Sequence, residues 1–225
     1  MATVINKASK YTLTGVTGIN GFLGSIAASG GMSMSNLYEA RFENIPASLK
    51  TVLRDYGFID LDTTGGAFSA MTAFCEEASL PGIQAMTGQT TGRLMGEGQV
   101  NYPHTKSYTD ITLGWTCDAN LLPVKFLNGW MSHIFQDLGT NPSGKTSTNR
   151  VNYQDEYCAD IVIKKAERNS TNSLGRVAGI YTLYCAWPYS IQSTPLSYGS
   201  STLLKVTASF YYRRWKFEPK QIPDT

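Results

Sequence analysis

The chain has 225 residues, enough for one sizeable domain or two small ones, and long enough to bury a core without disulfide or metal staples. Its 19 Lys and Arg stand against 17 Asp and Glu, which excludes the strong basic excess of a dedicated nucleic-acid binder. Charged residues are only 16% of the chain while Tyr alone numbers 13, a composition that suits a protein buried largely against copies of itself.

Residues 1–36 scatter Gly15, Gly18, Gly21, Gly24, Gly30 and Gly31 among Ser and Thr. Neither a helical nor a strand period is sustained there, so an irregular N-terminal arm is expected, ordered against a neighbour. The start lacks the apolar core of a signal peptide, and no apolar run approaches membrane-spanning length. A soluble protein made in the cytoplasm is expected.

The first strand is predicted over residues 37–44, where Tyr38, Ala40 and Phe42 alternate with Glu39, Arg41 and Glu43. Residues 45–66 read as a linker with a short helix over 47–56. A second strand is predicted over 68–76, broken by Leu80-Pro81-Gly82, because Pro81 lacks an amide donor and Gly82 favours a turn. Residues 83–107 read as a long protruding hairpin. Its Leu94, Met95, Val100 and Tyr102 are apolar side chains without a core of their own, which is explained if a neighbour supplies the missing surface.

The clearest strand is 108–117, with Ile111, Leu113, Trp115 and Cys117 on one face. A helix follows over 123–136. Val124, Leu127, Met131 and Ile134, with Phe126, Trp130 and Phe135 beside them, make a broad apolar stripe; Leu127, Trp130, Met131 and Ile134 are the candidate core of the subunit. Gly139 is expected to end this helix and 140–152 to be a polar loop. Three further strands are predicted at 157–165, at 177–187 closed by Trp187-Pro188, and at 203–217, where Leu204, Val206, Ala208, Phe210 and Tyr212 share a face. A tail of 218–225 remains. Several strands around one helix predict an α+β, mainly β fold, with antiparallel sheets rolled into a sandwich or barrel.

Chemistry-bearing motifs are few. Cys75, Cys117, Cys158 and Cys185 are far apart in sequence, and with His104 and His133 they offer no zinc-ligand spacing. They read as buried thiols, with a disulfide as the alternative. His133 with Asp137 reads as a polar helix edge. Asp155, Glu156 and Asp160 read as a solvated rim or an acidic channel wall, and Arg213-Arg214-Trp215-Lys216 as a protected edge or subunit contact. The stretch Thr17-Gly18-Ile19-Asn20-Gly21-Phe22-Leu23-Gly24-Ser25 resembles the glycine fingerprint of NAD-dependent epimerases, and Tyr102 and Lys106 have the matching Tyr-x-x-x-Lys spacing. That chemistry needs a strand–turn–helix around the glycines and a helical face shared by Tyr and Lys. With Gly30-Gly31 close behind and Pro103 between Tyr and Lys, neither is expected, so no catalytic, cofactor or metal site is assigned.

In order and spacing the elements resemble the tail tube protein of contractile-tailed bacteriophages. The matching pieces are Asn36-Leu37-Tyr38, Phe74-Cys75-Glu76 with Leu80-Pro81-Gly82, and the glycine-containing hairpin. Then come Tyr108-Thr109-Asp110-Ile111-Thr112-Leu113, the helix with Phe126-Leu127-Trp130, Ala186-Trp187-Pro188, and the final strand ending in Arg213-Arg214-Trp215. The match covers most of 36–217; a longer arm and the 45–67 insertion depart from it. The resemblance implies a non-enzymatic subunit polymerising as stacked hexameric rings, with strands joined across subunits into a ring-shaped barrel and the 83–107 hairpin between rings. It implies a surrounding sheath protein, baseplate and terminator partners, and DNA only in transit through a polar or acidic lumen. A tube-initiating baseplate protein and a secretion-system tube of related fold are the alternatives, with an NAD(P)-dependent reductase as a remote one.

Overall fold

The computed structural model describes residues 18–28, 32–58, 66–92, 98–136, 150–167, 176–192, 195–196, 198–199 and 202–219. It divides into two units, Met1–Leu37 with Ala166–Arg176, and Tyr38–Lys165 with Val177–Thr225.

In the first unit, the segment expected to be irregular contains a helix, α1 (Gly18–Ala28). Ile19, Phe22, Leu23 and Ile26 recur at helical spacing, a stripe that the surrounding glycines obscure. Near its C-terminal end the unit is tied by Glu167, whose carboxylate accepts from the Ser33 hydroxyl and, at 3.2 Å, from the Met34 amide.

After α1 the chain runs through β1 (Tyr38–Glu43), α2 (Ala47–Asp55), α3 (Ala67–Ala73), β2 (Cys75–Ala78), β3 (Ile83–Thr91), β4 (Gln99–Tyr108) and β5 (Ile111–Thr116). α4 (Leu122–Phe135), α5 (Gln154–Tyr157), β6 (Ala159–Glu167), β7 (Arg176–Ile191), β8 (Lys205–Tyr211) and β9 (Arg214–Pro219) follow. The strands order as β1-β6-β7-β8-β5-β2, with β9 also on β7, while β3 and β4 pair with each other as a separate ribbon. The β1–β6, β2–β5, β3–β4, β5–β8, β7–β8 and β7–β9 pairings are antiparallel, and the fold is mainly β, as the alternating strand patterns predict.

β7 is the hinge of this topology. It bends at Cys185, whose φ is 54°. Before the bend, residues 179–184 pair with β9; after it, residues 187–191 pair with β8. One strand thereby belongs to two sheets, the usual way a rolled sandwich makes a corner.

The core is aromatic. Phe42 of β1 stacks on Trp115 of β5 at 6.2 Å and meets Phe126 and Trp130 of α4 at 5.0 and 5.6 Å; Phe210 of β8 closes the group at 6.0 Å from both Phe42 and Trp130. Trp115, Phe126, Trp130 and Phe210 are fully buried and Phe42 partly so; a fully buried Phe contributes about 1.5–3 kcal/mol. Leu127, Trp130 and Ile134 of α4 are buried, and Met131 packs half-buried against the same core. α4 begins where the Asp118 carboxylate accepts from the Leu122 amide at 2.7 Å. It ends at Phe135 with Gln136 in the left-handed region, short of Gly139, which lies outside the described residues.

Four predicted elements differ from the observed ones. The strand expected over 68–76 is α3 followed by β2. Phe68, Ala70 and Phe74 imitate a strand period, but Met71 is buried and Phe68 packs 5.7 Å from Phe126, so the helical stripe wins. The 157–165 strand starts later, after the turn of α5. Pro188 does not close β7; it sits at a register shift opposite β8, a position that tolerates a missing N–H. The last strand divides at Arg213, whose amide donates to the Tyr184 carbonyl at 3.0 Å, and β9 runs on through Pro219 into the expected tail.

Candidate assembly interface

The β3–β4 ribbon is held at its root and exposed beyond it. Gly82, where an added Cβ would lie 2.5 Å from the Thr109 hydroxyl, gives up its carbonyl to Trp215 Nε1 at 3.3 Å and to the Tyr212 hydroxyl at 3.5 Å. Tyr108 packs 6.0 Å from Tyr212. Past this anchor, every residue of β3 except Gly88 and every residue of β4 from Gln99 to Lys106 is exposed.

Register places apolar groups on one face. Met86 opposes Thr105, Gly88 opposes Tyr102 and Thr90 opposes Val100. The register shifts between Met86 and Thr87, leaving His104 as the extra residue on β4. This bulge keeps Val100 and Tyr102 on the same face as Met86. The Tyr102 ring lies over Gly88, where an added Cβ would stand 2.8 Å from its Cζ. The exposures are large: Met86 53%, Val100 61%, Tyr102 49%. Leu94 and Met95, expected on the same surface, lie outside the described residues.

The remaining sequence candidates take other places. The fingerprint glycines Gly18, Gly21 and Gly24 lie within α1 rather than in a strand-to-helix turn. Tyr102 and Lys106 lie on a strand and on opposite faces of it, since Lys106 pairs with Ala85. His133, read with Asp137 as a polar helix edge, is a buried polar residue: its Nε2 lies 3.0 Å from the Glu156 carbonyl and Asn152 Nδ2 donates to the His133 carbonyl at 2.7 Å, while Asp137 lies outside the described residues. His133 joins α4 to α5. Asp160, read as part of a solvated rim, is half-buried and accepts from Asn44 Nδ2 and from the Cys185 amide. Arg214 lies over the Tyr184 ring at 5.1 Å. Among the described residues, no group of His, Cys, Asp and Glu could hold a metal ion, and no helix is long and apolar enough to cross a membrane.

Sequence reasoning missed a second aromatic surface. Tyr189 stacks on Tyr211 at 3.9 Å, Tyr211 meets Trp187 at 5.6 Å, and Trp187 meets Tyr157 at 6.1 Å. The Tyr189 hydroxyl donates to Asp110, which raises its pKa by stabilising the protonated form. The signal was cross-strand, carried by the β7–β8 register, and invisible without it.

The described residues form a mainly antiparallel fold that carries a separate two-stranded ribbon. The chain belongs to the phage tail tube protein family, which matches residues 33–218. No curated protein matches the sequence. Among solved structures, a chain of the PVC extracellular contractile injection system, in its extended sheath–tube complex, shares the fold at TM-score 0.50. It is 13% identical, and the match covers 88% of this chain and 97% of that one. Weaker resemblances are a chain of the six-fold symmetrised anti-feeding prophage baseplate (17% identity, 84% and 97% covered, TM-score 0.48) and an Hcp protein (8%, 81% and 99%, 0.41).

Proposed function

We propose that this chain is the repeating subunit of a phage tail tube. Copies close into hexameric rings, and the rings stack into a hollow conduit inside a contractile sheath. Residues 37–217 form the tube domain and 1–36 an arm that orders on a neighbour. The ribbon of residues 83–107 makes the contact between rings, through Leu94, Met95, Val100 and Tyr102. Sheath, baseplate and terminator proteins are the partners, and DNA passes a polar or acidic lumen without being held, since bound phosphates would release counterions and resist escape. The chain carries out no catalysis.

The observation that carries this reading is the ribbon. A two-stranded hairpin alone is marginal in water, yet here nine residue pairs extend with both faces exposed over most of their length. A second surface must complete it. The edges of the main sheet give the lateral contacts: among the described residues β1, β2 and β9 each pair with one strand, and sheet edges favour pairing with another copy.

The test replaces residues 88–100 with a short Gly/Ser linker. Circular dichroism is expected to show a folded subunit, and negative-stain microscopy to show rings or monomers in place of long tubes. Tubes of normal length from that variant sink the reading.

A further inference from the structure

Cys158 and Cys185 meet at the corner of the fold. Cys158 closes the α5 turn and leads into β6, and Cys185 is the residue at which β7 bends. The two strands are neighbours in the sheet. Asp160 fixes them against each other, accepting from the Cys185 amide at 3.0 Å through Oδ1 and from Asn44 Nδ2 at 2.7 Å through Oδ2. The Cys158 and Cys185 side chains are neighbours on the wall of one pocket. Both line an open pocket of about 640 Å³, together with Asn44, Asp155, Asp160 and Arg213, so a small reagent can approach from solvent. Cys75 is engaged elsewhere, its Sγ 3.6 Å from the Glu77 carbonyl.

We propose that Cys158 and Cys185 are a disulfide-forming pair that closes when the chain leaves a reducing compartment for an oxidising medium. The two thiols lose two protons and two electrons and one S–S bond forms. A low-molecular-weight disulfide such as oxidised glutathione accepts the electrons and protons, its own S–S bond breaking to two thiols by way of a mixed disulfide. Both thiols line the same pocket, and Asp160, two residues beyond Cys158, already holds the Cys185 amide, so the bond closes between neighbouring segments. It would tie the entrance of β6 to the bend of β7. Burial pushes the Cys158 thiol up to about 12, which keeps its thiolate scarce and the exchange slow at neutral pH. The closure is a single slow step rather than a cycling switch.

The test uses the full-length reduced protein, incubated overnight with oxidised glutathione in mildly alkaline buffer, then denatured, alkylated and digested for mass spectrometry. Peptides holding Cys158 and Cys185 are expected cross-linked and lighter by two hydrogens, with Cys75 and Cys117 alkylated. The oxidised protein is expected to melt about 5–10 °C above the reduced one, a rise absent from Cys158→Ser. Alkylation of all four cysteines, glutathione on both residues without a cross-link, or the same cross-link yield from protein oxidised in urea would each overturn the proposal.

Discussion

β4 and β5 are consecutive strands separated by Thr109 and Asp110, and they live in opposite surroundings. β5 lies between β2 and β8, with Ile111, Leu113, Gly114 and Trp115 buried. β4 has β3 as its strand partner and is exposed over most of its length. Both adopt extended backbone, so local preference does not separate them. What separates them is where the partner surface comes from: β5 finds it within the chain, and under the proposed function β4 finds it in another copy. The core region should therefore answer to measurements of folding, and the ribbon to measurements of assembly.

The largest expected effect is at Trp130. Trp130→Ala removes the contacts with Phe42, Phe126 and Phe210 and leaves the Tyr157 carbonyl without the indole donor that now reaches it at 2.7 Å. It is expected to cost about 3–5 kcal/mol in urea unfolding. Tyr102→Ala should change that unfolding by less than about 0.5 kcal/mol while shortening tubes in negative stain; a large loss of subunit stability there would break the comparison.

The two histidines sharpen it at smaller scale. His133→Ala removes one of two groups on the Glu156 carbonyl, which keeps the Ser48 hydroxyl at 3.0 Å, and is expected to destabilise by about 0.5–1.5 kcal/mol, read by denaturant midpoint. His104→Ala, on the exposed bulge, should leave the midpoint unmoved and lower only assembly. Gly88→Ala tests the ribbon's face directly. The new methyl must displace the Tyr102 ring, so assembly is expected to weaken while thermal melting of the unassembled subunit stays within a degree or two.

The smallest effect concerns acid. Hydrogen bonds from Lys205 and Thr116 hold the Glu76 carboxyl below its ordinary range. Its contribution is present above the unfolded carboxylate pKa and is lost as pH falls through the lowered folded value. Glu76→Gln is expected to flatten the acid limb of stability slightly, visible as a smaller shift in melting temperature between neutral and acidic buffer.

Much of the core was legible because its period is local. The alternation through Ile111, Leu113 and Trp115, the stripe of α4 and the faces of β8 all mark buried surfaces that each element presents by itself. α3 was not legible, because Phe68 and Phe74 fit both periods and only the packing of Met71 decides between them. The continuation of β7 through Pro188 was hidden for a different reason: whether a proline is tolerated depends on the register with β8. In the ribbon, the length and the apolar residues could be read, but not the bulge at His104 that gathers Met86, Val100 and Tyr102 on one face. The Cys158–Cys185 encounter is likewise a product of the sheet order, with no trace in the spacing of the cysteines.

The bend in β7 has a mechanical corollary. A single continuous backbone runs from the pairing with β9 into the pairing with β8, so tension applied to either sheet is borne by the other through covalent bonds. Opening one face strips partners from the strand that also anchors the second face. Amide protons of β9 and β8 should accordingly exchange with deuterium in one cooperative event, and a pulling force along the long axis of β7 should meet one rupture rather than two.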